Sequence, residues 1–445
     1  MANILLINSV IREFALPNNV PLGVLYIASC LREAGHEVDV CDLNGLRAIN
    51  SDREYWLNKY RRKYDIIGIS GLIVTYHEQR RYAHYIRLNN VEFGDPIIVS
   101  GGGLATSVPE FTAKHFPEVN IFAIGEGEIT MLELANGGIP LDKIAGIAYR
   151  EGKELVFTQP RELIHNLDTL PMPAWDLIPV EDVYMHNAIW GTGAGNSSKI
   201  AYEMKRSMNM INSRGCPYNC SFCASKLMGR QYRMRSVNSV ISEIIKLKEL
   251  YNIDFAGFVD DNTTANRDWI YNFCNTMISA DLNVKWGCSA RVNQVDSYIL
   301  ALMKQAGCEF IGFGVESGNP SILKAMNKKI IPEQASKAIR MVRESGIWAN
   351  ATFIAGYPTE TIETLRDTAK FMKDNNCLNS IFYATPYPGT ILYEESKDRI
   401  LAKYGTEDNY IMSLGDATEF RVNLSNMSDA ELIDLRKKAM VGVDF

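Results

Sequence analysis

Along the first 150 residues, short apolar runs alternate with stretches of helical periodicity. This alternation predicts buried parallel strands joined by crossover helices. Ile4–Asn8 (ILLIN) reads as a first strand, followed by an amphipathic stretch, Leu22–Glu33, that Gly35 ends. Glu37–Asp42, Asp65–Ser70, Pro96–Ser100 and Ile121–Ile124 read as strands two to five. Glycine or serine follows several of them, and an open α/β sheet takes ligands at that carboxyl edge. From 151 to 205 the pattern breaks. Leu170–Trp175 (LPMPAW) carries prolines that suit neither a helix nor a central strand, so the segment is expected to cross in extended form. Gly191–Ser198 (GTGAGNSS) reads as a loop.

A second strand–helix alternation occupies 206–392. Its strands are expected at Met208–Asn212, Phe255–Val259, Lys285–Ala290, Phe310–Val315, Ala351–Ile354 and Asn379–Ala384. Six such units make a partial β/α barrel, short of the eight of a closed one. The last part, 393–445, reads as a helical tail, with Ser428–Met440 behind a serine cap. The chain is thus expected to be α/β: a Rossmann-like domain (1–150), a crossing linker (151–205), a partial (β/α)6 barrel (206–392) and a helical C-terminal region (393–445).

Composition narrows the function classes. A 47% hydrophobic and 22% charged chain of 445 residues is that of an ordinary globular protein of two or three domains. It has no apolar run of about 18 residues, and no charged region followed by an apolar stretch at Met1–Asn8. No membrane span and a cytoplasmic location are expected. A net charge of −6 gives no blanket attraction for polyanions, so nucleic acid is not an expected partner. Nine cysteines are too few and scattered for a disulfide framework, leaving thiols free for metal or redox work.

The sharpest chemical signal is Cys216-Pro-Tyr-Asn-Cys220-Ser-Phe-Cys223, just after a predicted strand. Three thiolates this close can wrap one metal centre. A structural zinc wants four closed ligands, and neither a fourth cysteine nor a histidine lies nearby. Three cysteines suit a four-iron cluster with one iron left open. Zinc, or three unrelated core cysteines, stay open as readings of the spacing alone.

The C-x3-C-x2-C loop resembles that of the radical S-adenosylmethionine (SAM) superfamily. The resemblance implies a 4Fe-4S cluster on Cys216, Cys220 and Cys223, whose open iron chelates SAM, and reductive cleavage of SAM to a 5′-deoxyadenosyl radical. It implies adenine packing on Phe222, and an external electron donor such as a flavodoxin or ferredoxin. Later matches fall at strand ends of the barrel. Asp260 and Asn262 lie in Val259-Asp260-Asp261-Asn262, Ser289 and Arg291 close the next strand, and Glu316 lies in Gly312–Gly318. Gly356-Tyr-Pro358-Thr-Glu360 and Pro386–Thr390 resemble two further loops. Asp260, Glu316 and Arg291 are the catalytic candidates, Arg291 as a bidentate clamp on a carboxylate. Asn262, Ser289, Glu316 and Gly356 are candidates for contacting SAM.

The first domain resembles the cobalamin-binding domain that precedes the barrel in the B12-dependent radical SAM group. The matching residues are Pro21, Leu22 and Gly23; Ser70, Gly71, Val74, Thr75 and Tyr76; Gly101, Gly102 and Gly103; and Gly125, Glu126, Gly127 and Glu128. Glycines there let a flat corrin approach the backbone. A nicotinamide-binding Rossmann domain would carry G-x-G-x-x-G at its first turn, which is missing. Of six histidines only His77 follows a carboxyl strand end, and the D-x-H-x-x-G ligand sequence is absent. Cobalamin held without a histidine under cobalt is expected.

Together the resemblances imply methylation of an unactivated carbon through the radical and methylcobalamin, on a small molecule or a peptide side chain. A non-methylating oxidoreductase or cyclase is the alternative, and a corrinoid- or iron–sulfur-binding regulator a further one. A methylthiotransferase would need a second three-cysteine set in the first domain, where only Cys30 and Cys41 occur. Lys199, Lys205 and Arg206 read more as a solvated run than as an anion site.

Overall fold

The computed structural model describes residues 1–185, 206–229, 231–378 and 381–445. Lys199, Lys205, His186 and the loop at 191–198 lie outside the described residues. The chain divides into two compact units: 1–187 with 227–229 and 408–415, and 188–226 with 230–407 and 416–445.

The first unit is built on a seven-stranded sheet: β1 (Asn3–Asn8), β2 (Glu37–Asp42), β3 (Ile66–Gly71), β4 (Ile97–Gly102), β5 (Ile121–Ala123), β6 (Ile147–Glu151) and β7 (Glu154–Phe157). Their order is β2-β1-β3-β4-β5-β6-β7, with β1 to β5 parallel and the last two antiparallel. The five strands expected from apolar runs are all present. Their side chains are buried on both faces by helices such as Leu22–Glu33 and Tyr76–Leu88, as parallel sheets require. The order reverses between β1 and β3, and such a switch point opens a ligand crevice at the carboxyl edge. The β6–β7 hairpin was not anticipated. β7 is only four residues long and half-exposed, its apolar run of three too short to announce a strand, and the sheet continues past the boundary expected at 150.

The second unit holds six parallel strands: β8 (Ser207–Met210), then, after the short ribbon strands β9 (Ser213–Arg214) and β10 (Arg233–Met234), β11 (Phe255–Phe258), β12 (Lys285–Ala290), β13 (Cys308–Glu316), β14 (Trp348–Ala355) and β15 (Ile381–Tyr383). The order β15-β14-β13-β12-β11-β8 keeps each strand beside its predecessor, the arrangement of an open β/α barrel. All six expected barrel strands are found. Because they run parallel, their carboxyl ends share one edge, and the candidate residues gather there. Phe255, Phe258, Trp286, Phe313 and Phe353 fill the interior. The tail is helical at Lys397–Tyr404, Glu407–Ser413 and Asp429–Met440. The last helix starts as expected: the Ser428 hydroxyl accepts from Glu431 N, and the Glu431 carboxylate accepts from Ser428 N at 2.8 Å. Among the described residues no helix is long and apolar enough to cross a membrane.

Candidate functional site

The cysteine loop of the second unit leaves the end of β8 under tight control. Asp260, just beyond the neighbouring β11, accepts from the amides of Asn212 (2.8 Å) and Ser213 (3.1 Å) and from the Thr263 hydroxyl (3.1 Å). Burial pushes its carboxyl up to about 7 while the amides oppose the rise. These bonds tie the carboxylate of Asp260, one of the catalytic candidates, to the entrance of the loop. β9 and β10 close the loop's base as an antiparallel ribbon. At the far end, Ser221 N donates to Met326 O (3.0 Å), Ser221 O accepts from Leu392 N (2.9 Å), and its hydroxyl pairs with Tyr357 Oη at 2.6 Å. Asn327 Nδ2 donates to Asn219 O at 2.7 Å.

Between these ties stand Cys216, Cys220 and Cys223, all free thiols. Burial raises Cys216 and Cys223 above an ordinary thiol, and the Asp261 carboxylate and the other loop thiols add to the rise. Ser225 opposes it at Cys223, its hydroxyl 3.0 Å and its amide 3.5 Å from the sulfur. Three thiolates here therefore need a cation to offset them, which a metal centre supplies. Among the described residues no three His, Cys, Asp or Glu side chains converge tightly enough to hold a single metal ion. The ligands of a multi-iron cluster each bind a different iron, and three cysteines leave one iron open.

A cavity opens beside the loop, lined by Phe222, Glu316, Ile354, Phe382, Tyr383, Thr385 and Tyr387. Glu316 ends β13 in the left-handed region (φ 75°), where the register with β14 shifts, and its Oε1 accepts from Lys328 Nζ at 3.0 Å. A non-glycine residue held there costs about 1–3 kcal/mol, a strain that marks functional sites. Lys328 Nζ also lies 5.9 Å from the Phe222 ring centre. Phe222 and Glu316, two residues expected at the SAM site, thus meet at one cavity. Asn262 is buried, and both polar atoms of its carboxamide lack a hydrogen-bond partner, as do those of Asn212. Two orphaned amides at neighbouring strand ends suit a polar ligand. Ser289 is half-buried within β12.

Two further candidates have partners within the chain. Arg291 does not stand open as a carboxylate clamp: Nη2 donates to Lys328 O, Nη1 lies 3.7 Å from Cys220 Sγ, and the guanidinium stacks 3.7 Å from the Tyr218 ring centre. Gly356 has local reasons to be glycine: φ is 91°, its amide donates to Glu360, and a Cβ would come within 2.9 Å of Leu432 Cδ2. Lys328 was missed, and Tyr218 and Glu360 were noted only as members of their motifs. Glu360 is fully buried, one oxygen has no partner, and burial raises its carboxyl to about 8.

In the first unit the candidate glycines line the carboxyl edge. Gly102 takes φ 79°, and a Cβ on it would sit 2.6 Å from Gly71 O, so the ends of β3 and β4 approach as only glycine permits. A Cβ on Gly71 would strike Thr75 and Gln79, one on Gly103 would press on Leu72, and one on Gly127 would meet Ile27. Gly23 and Gly125 face open space, and Gly101 has only an ordinary contact. Ser70 and Val74 are half-buried at the same edge. Ser9, Ser100 and Gln79 are buried there, each with a polar atom lacking a partner. Open glycines and orphaned polar groups at a switch-point crevice fit a large, flat, polar-rimmed ligand such as a corrin. Several of the expected contacts are engaged within the chain. Leu22 and Tyr76 are core side chains, Tyr76 packing on Phe111 and Phe116, and Thr75 Oγ1 donates to Leu72 O at 2.8 Å. Glu126 accepts from Ile164 N at 2.8 Å, Glu128 is buried at its helix start, and Pro21 caps the helix Leu22–Glu33. His77 is exposed, its Nε2 donating to Met412 O at 2.9 Å.

Comparison with known proteins matches both units. The B12 binding domain model covers residues 10–135, and that of the Radical SAM superfamily covers 210–372. An uncharacterised methyltransferase of Pyrococcus horikoshii is 33% identical over 379 residues, 84% of this chain and 78% of its own. The anaerobic magnesium-protoporphyrin IX monomethyl ester cyclase of Rubrivivax gelatinosus is 29% identical over 392 residues, 85% of this chain and 67% of its own. Among solved structures, the radical SAM methyltransferase TsrM of Kitasatospora setae, with cobalamin and a 4Fe-4S cluster bound, superposes with a TM-score of 0.71 at 19% identity, over 91% of this chain and 76% of that one.

Proposed function

The chain belongs to the cobalamin-dependent radical SAM family, and on that premise we propose that it is a methyltransferase acting on an unactivated carbon. The observation that carries this reading is the similarity to the Pyrococcus horikoshii methyltransferase across both units. When bound, the 4Fe-4S cluster with SAM supplies a carbon-centred radical and cobalamin a transferable methyl group.

The residues divide the remaining work. Cys216, Cys220 and Cys223 would hold the cluster, and Asp260 fixes the loop that carries them. Phe222, Glu316 and Lys328 flank the cavity suited to SAM, with an apolar face for the adenine and a carboxylate for ribose hydroxyls or an ammonium. The carboxamides of Asn262 and Asn212 would pair with polar groups of the ligands. Gly23, Gly101 and Gly125 leave room for the corrin. An external electron donor, a flavodoxin or ferredoxin, would reduce the cluster, and the substrate would be a small molecule or a peptide side chain.

The cyclase relative favours a second reading, radical oxidation without methyl transfer. One experiment separates the two. The reconstituted enzyme, reduced under anaerobic conditions, is supplied with SAM deuterated in its methyl group and a metabolite extract. A product carrying the deuterated methyl on carbon is expected. 5′-Deoxyadenosine formed together with an unlabelled, oxidised product would replace methylation with the second reading, and no 5′-deoxyadenosine at all would remove both.

A further inference from the structure

Arg291 reaches a sulfur of the cysteine loop, and its seat is built from several directions. It leaves the end of β12, and its amide donates to Gln294 Oε1 at 3.3 Å. That oxygen also accepts from Thr264 Oγ1 at 2.7 Å, while Gln294 Nε2 donates to Tyr218 Oη at 3.4 Å. Tyr218, inside the loop, offers its ring face to the guanidinium at 3.7 Å, and Lys328 O accepts from Nη2. Of what remains, Nη1 points at Cys220 Sγ at 3.7 Å, and Nε is buried without a hydrogen-bond partner. The side chain is buried, so water screens this charge little.

We propose that Arg291 is a positioning residue that sets the reduction potential of the cluster, by placing a fixed positive charge and an N–H donor on the Cys220 sulfur. The inference rests on the assignment of the cluster to Cys216, Cys220 and Cys223. Reduction adds one electron to the cluster, drawn from an external low-potential reductant, with no bond made or broken in the protein. The added negative charge spreads onto the ligand sulfurs, so a buried cation and a hydrogen bond at one of them stabilise the reduced state and raise the potential. Arginine suits the task because it stays charged when buried and its planar fork can hold Lys328 O, the Tyr218 face and the sulfur at once.

The test uses the full chain, reconstituted with iron and sulfide, and reads iron content and midpoint potential by dithionite titration followed by electron paramagnetic resonance. Arg291→Met is expected to keep four irons while becoming about tenfold harder to reduce, a midpoint about 59 mV more negative for a one-electron couple. Arg291→Lys should shift less, since it keeps the charge and loses the fork. Gln294→Leu, which only loosens the seat, should shift in the same direction. An iron-replete Arg291→Met with the wild-type potential would overturn the proposal. If Arg291→Met loses its iron, Arg291→Lys and Gln294→Leu decide by the same measurement, and loss of iron in all three would make Arg291 a structural brace instead. A wild-type chain that binds no iron would fail the cluster assignment itself, a result distinct from any of these.

Discussion

Lys328 Nζ stands 3.0 Å from Glu316 Oε1, and both side chains are almost wholly buried. The pair crosses the gap between the strained end of β13 and the turn after the helix Pro320–Ala325, beside Phe222. Removing one partner leaves the other charge buried and alone. Lys328→Met is therefore expected to destabilise the second unit by about 3 kcal/mol, and the double variant Lys328→Met with Glu316→Gln by less. Denaturant unfolding of the two variants and the wild type checks this. A single Lys328→Met as stable as wild type would show that the pair contributes nothing.

Replacing Cys216, Cys220 and Cys223 together with alanine should abolish the visible iron–sulfur absorbance and all bound iron after reconstitution, while cobalamin still binds. Of the other six cysteines, Cys274, Cys288 and Cys308 neighbour one another inside the barrel and Cys41 lies in the first unit, all buried as small apolar groups. Iron retained by the triple variant would place the cluster elsewhere.

Glu360 makes stability depend on pH. Its folded carboxyl titrates at about 8, well above the ordinary glutamate value, because it is buried without a cationic partner. Between the two values the folded chain holds a proton that the unfolded chain has released, so stability falls as pH rises from about 4.5 towards 8. Asp260, raised to about 7 by burial, acts in the same direction. Glu360→Gln keeps an oxygen for the Gly356 amide and carries no charge. Its melting temperature should fall less than that of wild type between pH 6 and pH 8.5. Parallel curves would refute the assignment.

Cobalt is expected to lack a protein nitrogen on its lower face. His77 lies exposed with Nε2 on Met412 O, and His36 is held at the amino edge by Ala2 N and Asn136. Electron paramagnetic resonance of the cob(II)alamin form should show no nitrogen splitting on the cobalt lines. Splitting that vanishes in His77→Ala would make His77 the ligand, and splitting that survives it would mean the nucleotide base stays bound.

How much of this could be read from the residues alone depends on the range of the determining contacts. The cysteine loop and the parallel strands were legible because spacing and apolar runs are local. Lys328 was not: it sits between two residues in left-handed conformation, Asn327 and Lys329, and only this turn sends it back to Glu316. Arg291 was noticed for its place at a strand end, but its contacts within the chain, Cys220 and Lys328, are 71 and 37 residues away. Tyr76 followed a glycine-rich strand end and looked like a ligand contact, yet its ring belongs to the helix face that covers the sheet.

The bond from Leu392 N to Ser221 O has a consequence in time as well as space. Ser221 lies between two of the three thiols, and its tether comes from beyond the last strand of the barrel. A nascent chain leaving the ribosome presents the thiols long before it presents Leu392, since synthesis runs from the amino end. Until then the loop lacks one of its ties, however well the first unit has folded. Iron and sulfide delivered during synthesis would meet a loop that this tie does not yet hold.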